Sequence, residues 1–322
     1  MQADSVFRCS AWMGIHGINI YSPTANVMPL LQNPKLVYSV PEYRCNDTLS
    51  ESGYSLEVIT SEGSSFSLKI DYGGKGFTVV SSMIDLVAGD TLPYLIHSIL
   101  EVQRLENGQF TMRAAAVAKD GKGILLLGRS GAGKTSVSLS LCRDHGFSLV
   151  GNNIVLAGMK DSCAYLYGGE KIFRFRRASV LNYNTDLLNA FKPEAQHLDD
   201  WTATATVIPE QLGITVSKGK IPIVAVLYLH LLNEPEAELR VEPMNPLFSR
   251  LFLYEMSSAY IRGICSPILI GSDLRFGGFF PCLDTPEFHA RRVEFINWVV
   301  ENPHYNYVSG SMDSLCSYAV SI

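Results

Sequence analysis

The chain lacks any long uninterrupted apolar run. Its longest, residues 221–232, is broken by Pro222 and His230, whereas a membrane-spanning helix needs roughly 20 apolar residues. No membrane partner is therefore expected. Positive charge is not in excess either: 26 Lys and Arg stand against 31 Asp and Glu, a net charge of −5. No basic field would draw the chain onto nucleic acid. The C-x-x-C pair is missing. Cys9, Cys45, Cys142, Cys163, Cys265, Cys282 and Cys316 are odd in number and widely spaced. That pattern fits neither a disulfide framework nor a zinc ribbon and suits free thiols in a reducing cytoplasm. Residues 1–8 carry Gln, Ala and Asp instead of a basic region followed by an apolar core, so no secretory signal is expected. H-E-x-x-H, His-x-His and G-x-S-x-G are all absent, which argues against a zincin and an α/β-hydrolase nucleophile elbow. There is no internal repeat and no low-complexity tract.

What is present is ordinary globular material: 322 residues, 47% hydrophobic and 18% charged. That is enough for one large domain or two unequal ones. The division falls near Gln109, giving a β-rich N-terminal subdomain over 1–108 and an α/β domain over 109–322. In the first, 54–60 and 65–70 alternate apolar and polar residues around Gly63 and read as a hairpin. Residues 71–74 form a second turn, 76–81 a third strand, and 91–105 have helical apolar spacing. In the second, 110–118 and 123–127 read as adjacent strands, and 137–143 as a helix stopped by Gly146. Short strands at 147–150 and 154–156 flank Gly151-Asn152-Asn153. Residues 222–231 suit a buried strand. Residues 245–261 and 286–301 suit helices, the latter with Asp284 or Thr285 as N-cap and Phe288, Phe295, Ile296 and Val299 on one face.

One motif carries chemistry. Gly128-Arg129-Ser130-Gly131-Ala132-Gly133-Lys134-Thr135 matches G-x-x-x-x-G-K-[ST] in full. The glycines let the backbone curl until several N–H groups point at one anion, and the following helix adds its N-terminal dipole. Lys134 supplies a mobile charge for the β- and γ-phosphates, and Thr135 a hydroxyl for Mg²⁺. The order strand, loop, helix required by the motif is met by Ile124-Leu125-Leu126-Leu127 before it and the apolar run after Ser136. The expected ligand is a nucleoside triphosphate with Mg²⁺, ATP or GTP, since such loops read phosphates and not bases. Downstream, Lys171, Arg174, Arg176 and Arg177 form a basic cluster. In a strand, Arg174 and Arg176 share one face and Phe173 and Phe175 the other. Arginines suit the charge that develops during phosphoryl transfer.

The segment 112–118, the loop itself, and Asp144-His145-Gly146-Phe147-Ser148-Leu149-Val150 together resemble the HPr kinase/phosphorylase family. They are most similar to its stand-alone members, some of which accompany peptide-modification systems and phosphorylate lasso-peptide precursors. The resemblance is strong over 113–156 and weaker to the C-terminus, where 305–320 has a similar strand-then-helix ending. It implies an α/β fold with a P-loop core like that of HPr kinase and phosphoenolpyruvate carboxykinase. It also implies ATP-dependent phosphoryl transfer to a peptide or protein serine or to a small-molecule acceptor, in peptide or natural-product biosynthesis. A homo-oligomer is left open, since HPr kinases proper are hexamers and some relatives are not.

Two departures from that pattern bear on chemistry. Arg113 stands where the family commonly has His. Asn152 and Asn153 stand where the family has an Asp pair that serves Mg²⁺ binding and deprotonation of the acceptor. An amide oxygen can still bind a cation but cannot take up a proton near neutral pH. Asp273, after the apolar run 267–270, is the first replacement carboxylate by pattern, and Glu170 the second. Three readings follow: a kinase, with a carboxylate acceptor that needs no deprotonation as one variant; a nucleotide-binding scaffold without transfer; and a P-loop enzyme of another chemistry, such as nucleotidyl transfer.

Overall fold

The computed structural model describes residues 6–23, 26–33, 40–63, 66–71, 73–87, 91–263, 267–302 and 304–322. Cys265, Ser64, Ser65 and Tyr72, which fall within the stretches read above, lie outside the described residues. The protein is mixed α/β with several sheets. It divides into two compact units, one of Met1–Asn107 with Ser258–His289 and the other of Gly108–Ser257 with Ala290–Ile322.

The first unit contains β1 (Phe7–Met13), β2 (His16–Ser22), α1 (Met28–Leu31), β3 (Tyr43–Asn46), β4 (Ser55–Thr60), β5 (Ser67–Ile70), β6 (Gly76–Ser81), α2 (Met83–Val87) and α3 (Thr91–Glu106). These six strands form one sheet in the order β3-β1-β2-β4-β6-β5. The expected hairpin between 54–60 and 65–70 does not form. β4 pairs in parallel with β6, and it is β5 that pairs antiparallel with β6. Burial explains the choice. Leu56 and Val58 of β4 and Phe77 and Val79 of β6 are fully or nearly fully buried, whereas β5 is mostly exposed. The two apolar strands take the interior of the sheet and the polar one takes the edge. The turn that makes the hairpin is the one at Asp71, whose Oδ1 accepts the Lys75 N–H at 3.0 Å.

Sequence reasoning assigned all of 109–322 to one domain, but 258–289 packs with the first unit. This segment carries β17 (Pro267–Ile270) and β18 (Arg275–Phe279), a two-stranded antiparallel sheet. β17 packs against α2 and α3. The Gly271 N–H donates to Oδ1 of buried Asp85 at 2.6 Å, and His97 stacks on Tyr260 with ring centroids 4.2 Å apart.

The second unit is built on β7 (Gln109–Met112), β8 (Ala115–Lys119), β9 (Lys122–Leu127), α4 (Lys134–Asp144), β10 (Ser148–Gly151), β11 (Val155–Lys160), β12 (Cys163–Gly169), β13 (Phe173–Arg176), α5 (Arg177–Tyr183), β14 (Thr204–Val207), β15 (Ile221–Leu231), β16 (Arg240–Pro243) and α6 (Pro246–Ser258). It ends with β19 (Tyr305–Gly310) and α8 (Met312–Val320), preceded by α7 (Pro286–Glu301), which begins in the segment belonging to the first unit. Its nine-stranded sheet is centred on β15, which runs parallel to β9 on one side and to β19 on the other. The run 110–118 splits. β8 pairs with β9, while β7 crosses to β11. Leu125, Leu126 and Leu127 are fully buried, as a parallel interior strand requires. α4 packs on β8, β9 and β10 and against α8. It stops at His145, where Gly146 takes a φ of 73° and the Phe147 N–H returns to the Leu141 carbonyl. The N-cap of α7 is Thr285, whose Oγ1 accepts the Phe288 N–H at 3.2 Å.

The Asp85–Gly271 contact yields a test of the discontinuous unit. Asp85→Ala leaves a buried N–H without its acceptor, and chemical denaturation should show a loss of about 2 kcal/mol. Asp85→Asn, which keeps an acceptor oxygen, should cost less.

Candidate functional site

The loop joining β9 to α4 is shaped by lack of room. A Cβ on Gly128 would lie 2.8 Å from the Ala132 side chain and 3.0 Å from the Leu229 carbonyl, and one on Gly133 would lie 2.4 Å from Leu231. Gly128, Gly131 and Gly133 all take positive φ, at 143°, 84° and 90°. The loop is therefore curled against the C-terminal end of β15, where the Leu231 N–H donates to the Ala132 carbonyl. Lys134 folds back over this curl. Its Nζ donates to the carbonyls of Gly128 and Arg129 at 2.8 and 3.0 Å. Burial, with Arg113 nearby, pushes the Lys134 ammonium down to about 8.

A second loop meets the first. The Thr135 hydroxyl donates to Asn152 Oδ1 at 3.2 Å, and Asn152 Nδ2 donates to the Ile172 carbonyl at 3.0 Å. The Asn152 amide is thus held by its nitrogen with its oxygen toward Thr135. Asn153 takes a left-handed φ of 66°, a conformation Asn tolerates better than most residues. Its Nδ2 donates to Glu170 Oε2 at 3.1 Å.

What brings Glu170 here is a backbone approach between two glycines. A Cβ on Gly169 would lie 2.4 Å from the Ile154 carbonyl and 2.6 Å from Gly151 Cα. Three backbone hydrogen bonds close the contact: Asn152 N–H to Glu170 O, Glu170 N–H to Ile154 O, and Ile154 N–H to Asn152 O. Glu170 is 1% exposed. Its Oε1 has no hydrogen-bond partner and lies 3.8 Å from Arg174 Nη2. Burial raises the carboxyl from its ordinary 4.5 to about 7, against the opposing pull of Asn153 and Arg174.

These elements line a cavity of about 1120 Å³. Of the expected site residues, Gly128, Ser130, Gly131, Gly133, Lys134, Thr135, Ser136, Asn152, Asn153, Arg174 and Arg176 line it, and so does Arg113. Ala132 does not; it backs the loop against β15. β13 alternates as its sequence predicts, with Phe173 and Phe175 buried and Arg174 and Arg176 exposed. Arg176 lies over the Trp201 ring, 5.8 Å from its centroid. Arg177 is turned away into an ion pair with Asp200 at 2.5 Å. The lining holds five cationic side chains, Arg113, Arg129, Lys134, Arg174 and Arg176, and one carboxylate, Glu255.

Asp273, the first replacement carboxylate by pattern, is not in this lining. The apolar strand before it is β17, half of a small hairpin in the other unit and not a strand of the nine-stranded sheet. Asp273 is 62% exposed and pairs with Arg275 at 3.1 Å. Among the described residues no group of three or more His, Cys, Asp or Glu side chains could hold a metal. Sequence reasoning did not single out α5 and α6, which supply Asn182, Tyr183, Phe248, Leu251, Phe252, Glu255 and Met256 to the lining. Leu247, Phe248 and Leu251 of α6 are apolar yet 69%, 38% and 65% exposed.

No protein-family model matches the chain, and no curated protein matches it. Among solved structures it is similar to the Hpr(Ser) kinase/phosphatase from Coxiella burnetii, at 18% identity over 42% of this chain and 77% of that one, with a TM-score of 0.24. The likeness is distant. No helix among the described residues is long and apolar enough to cross a membrane.

Two measurements check this geometry. Gly169→Ala drives a methyl group into backbone that cannot step aside, and should destabilise the protein by about 1–3 kcal/mol in denaturant unfolding. For Glu170 the folded state keeps a proton that the unfolded chain has already released between pH 4.5 and about 7. Stability should therefore fall as pH rises through that window. Glu170→Gln, which has no proton to lose, should melt without that component.

Proposed function

We propose that the cavity binds the triphosphate of ATP and that the protein is an HPr-kinase-like phosphotransferase with a P-loop core. The observation that carries this reading is the charge and shape of one wall. A glycine loop curled at the N-terminus of α4 stands among five cationic side chains with a single carboxylate in the lining. Convergent backbone donors, a helix N-terminus and crowded cations are what a polyphosphate stabilises and what repel one another without it. Lys134 rests on two carbonyls and would exchange them for phosphate oxygens. Arg174 and Arg176, on the exposed face of β13, would meet the transferring group or the acceptor.

The residues fit a magnesium ion that arrives with the nucleotide better than a resident one. Thr135 offers a hydroxyl, and Mg²⁺ commonly takes most of its ligands from phosphates and water. The ion would supply charge neutralisation on the phosphates. The apolar side formed by Phe248, Leu251 and Leu231 leaves room for an acceptor beside the nucleotide, in keeping with a peptide or protein serine or a small molecule.

A second reading has its own support. With Asn152 and Asn153 in place of carboxylates, the side chain that meets the Thr135 hydroxyl is an amide, which does not take a proton from a hydroxyl at neutral pH. Binding without transfer, a nucleotide-dependent scaffold, follows from that.

Calorimetry with Mg·ATP on the protein and on Lys134→Ala, paired with an assay for ADP, separates the readings. We expect binding in the parent that weakens at least about tenfold, or 1.4 kcal/mol, in the variant. Slow ADP release supports the phosphotransferase. Lys134-dependent binding with no ADP from hydroxyl or carboxylate acceptors supports the scaffold. Absence of binding in the parent overturns both.

A further inference from the structure

Glu170 stays out of the cavity lining yet touches two residues that form it. Burying a carboxylate is unfavourable unless it is paired and fully hydrogen-bonded. Here the compensation is incomplete. One oxygen accepts a single amide N–H, and the other has only a half-exposed guanidinium at 3.8 Å. The packing does not need the charge, because a glutamine would fill the same space. The charge does act on Asn153 and Arg174. It turns the Asn153 amide so that nitrogen faces inward and oxygen faces away from Glu170. It also ties Arg174, one of five cations crowded along the cavity, to a fixed point.

We propose that Glu170 is the positioning carboxylate of this site, holding the Asn153 amide and the Arg174 guanidinium in the orientation that receives the phosphates. The inference rests on the nucleotide reading above. Negative charge has in effect moved one residue outward: the loop residues that face the cavity are neutral amides, and the anion stands behind them. Glu170 reaches the ligand only through its two partners.

Moving the charge back tests the idea. Position 153 takes a left-handed backbone conformation that Asp tolerates nearly as well as Asn, so Asn153→Asp does not strain the backbone. It places two carboxylates where an amide met one. Mg·ATP binding is measured by calorimetry at pH 8 for the parent, Glu170→Gln, Asn153→Asp and the double variant, with a melting temperature for each. Glu170→Gln is expected to raise the Kd about tenfold while its melting temperature stays level or rises, since a buried charge is gone. Asn153→Asp should weaken binding similarly. The double variant should recover to within about threefold of the parent, because the introduced glutamine amide can donate to the introduced carboxylate and restore the bond with its direction reversed. A purely structural Glu170 would instead lower the melting temperature and leave Kd unchanged in Glu170→Gln, and that result overturns the proposal. So do Kd effects that simply add in the double variant. If the parent itself fails to bind Mg·ATP, the nucleotide reading falls and this role with it, whereas either of the former results in a protein that binds removes the role alone.

Discussion

The second unit is organised around the parallel contact between β9 and β15. β9 delivers the chain to Gly128, and the last residues of β15 form the wall against which the loop curls. Leu229 and Leu231 occupy the space that a side chain at Gly128 or Gly133 would need. The loop cannot relax toward the sheet, and α4 begins where that constraint ends. The direction of α4, the place of Lys134 and the height of Thr135 above the sheet all follow from a shortage of room at two glycines.

The second constraint is of the same kind. Gly151 and Gly169 let β10, β11 and β12 approach closely enough for the Asn152-Asn153 turn and Glu170 to share hydrogen bonds. Neither glycine faces the cavity, and both decide what does. The result is a site whose lining arginines are exposed while the carboxyl group that faces Arg174 is buried. Solvent does not reach that carboxyl group, so when ionised it is not screened as a surface carboxylate would be.

How much of this could be read from the residues depended on how local each feature is. The curled loop was legible because positive-φ glycines, a lysine and a helix start fall within one short string. The alternation of Phe173, Arg174, Phe175 and Arg176 was legible because strand period is local. The pairing of β4 was not, because the choice between β5 and β6 is made by burial across the sheet and not by the nearest turn. Asp273 looked like a carboxylate after a core strand, but whether an apolar run joins a nine-stranded sheet or a small hairpin is settled by partners far away in sequence. Glu170 was a weak candidate on pattern. Its position beside Asn153 depends on a glycine-to-glycine contact that sequence spacing does not reveal.

The return of residues 258–289 to the first unit has a consequence for how the molecule is made. That unit opens the chain but is completed by a hairpin encoded after most of the second. On a ribosome the six-stranded sheet would emerge early and wait, with the surfaces of α2 and α3 that β17 covers still bare, until the hairpin had been synthesised. The second unit, too, is finished only by its last two elements. The first unit lacks its hairpin until most of the second has been made, and a cut well inside 108–257 would divide both units between the two fragments.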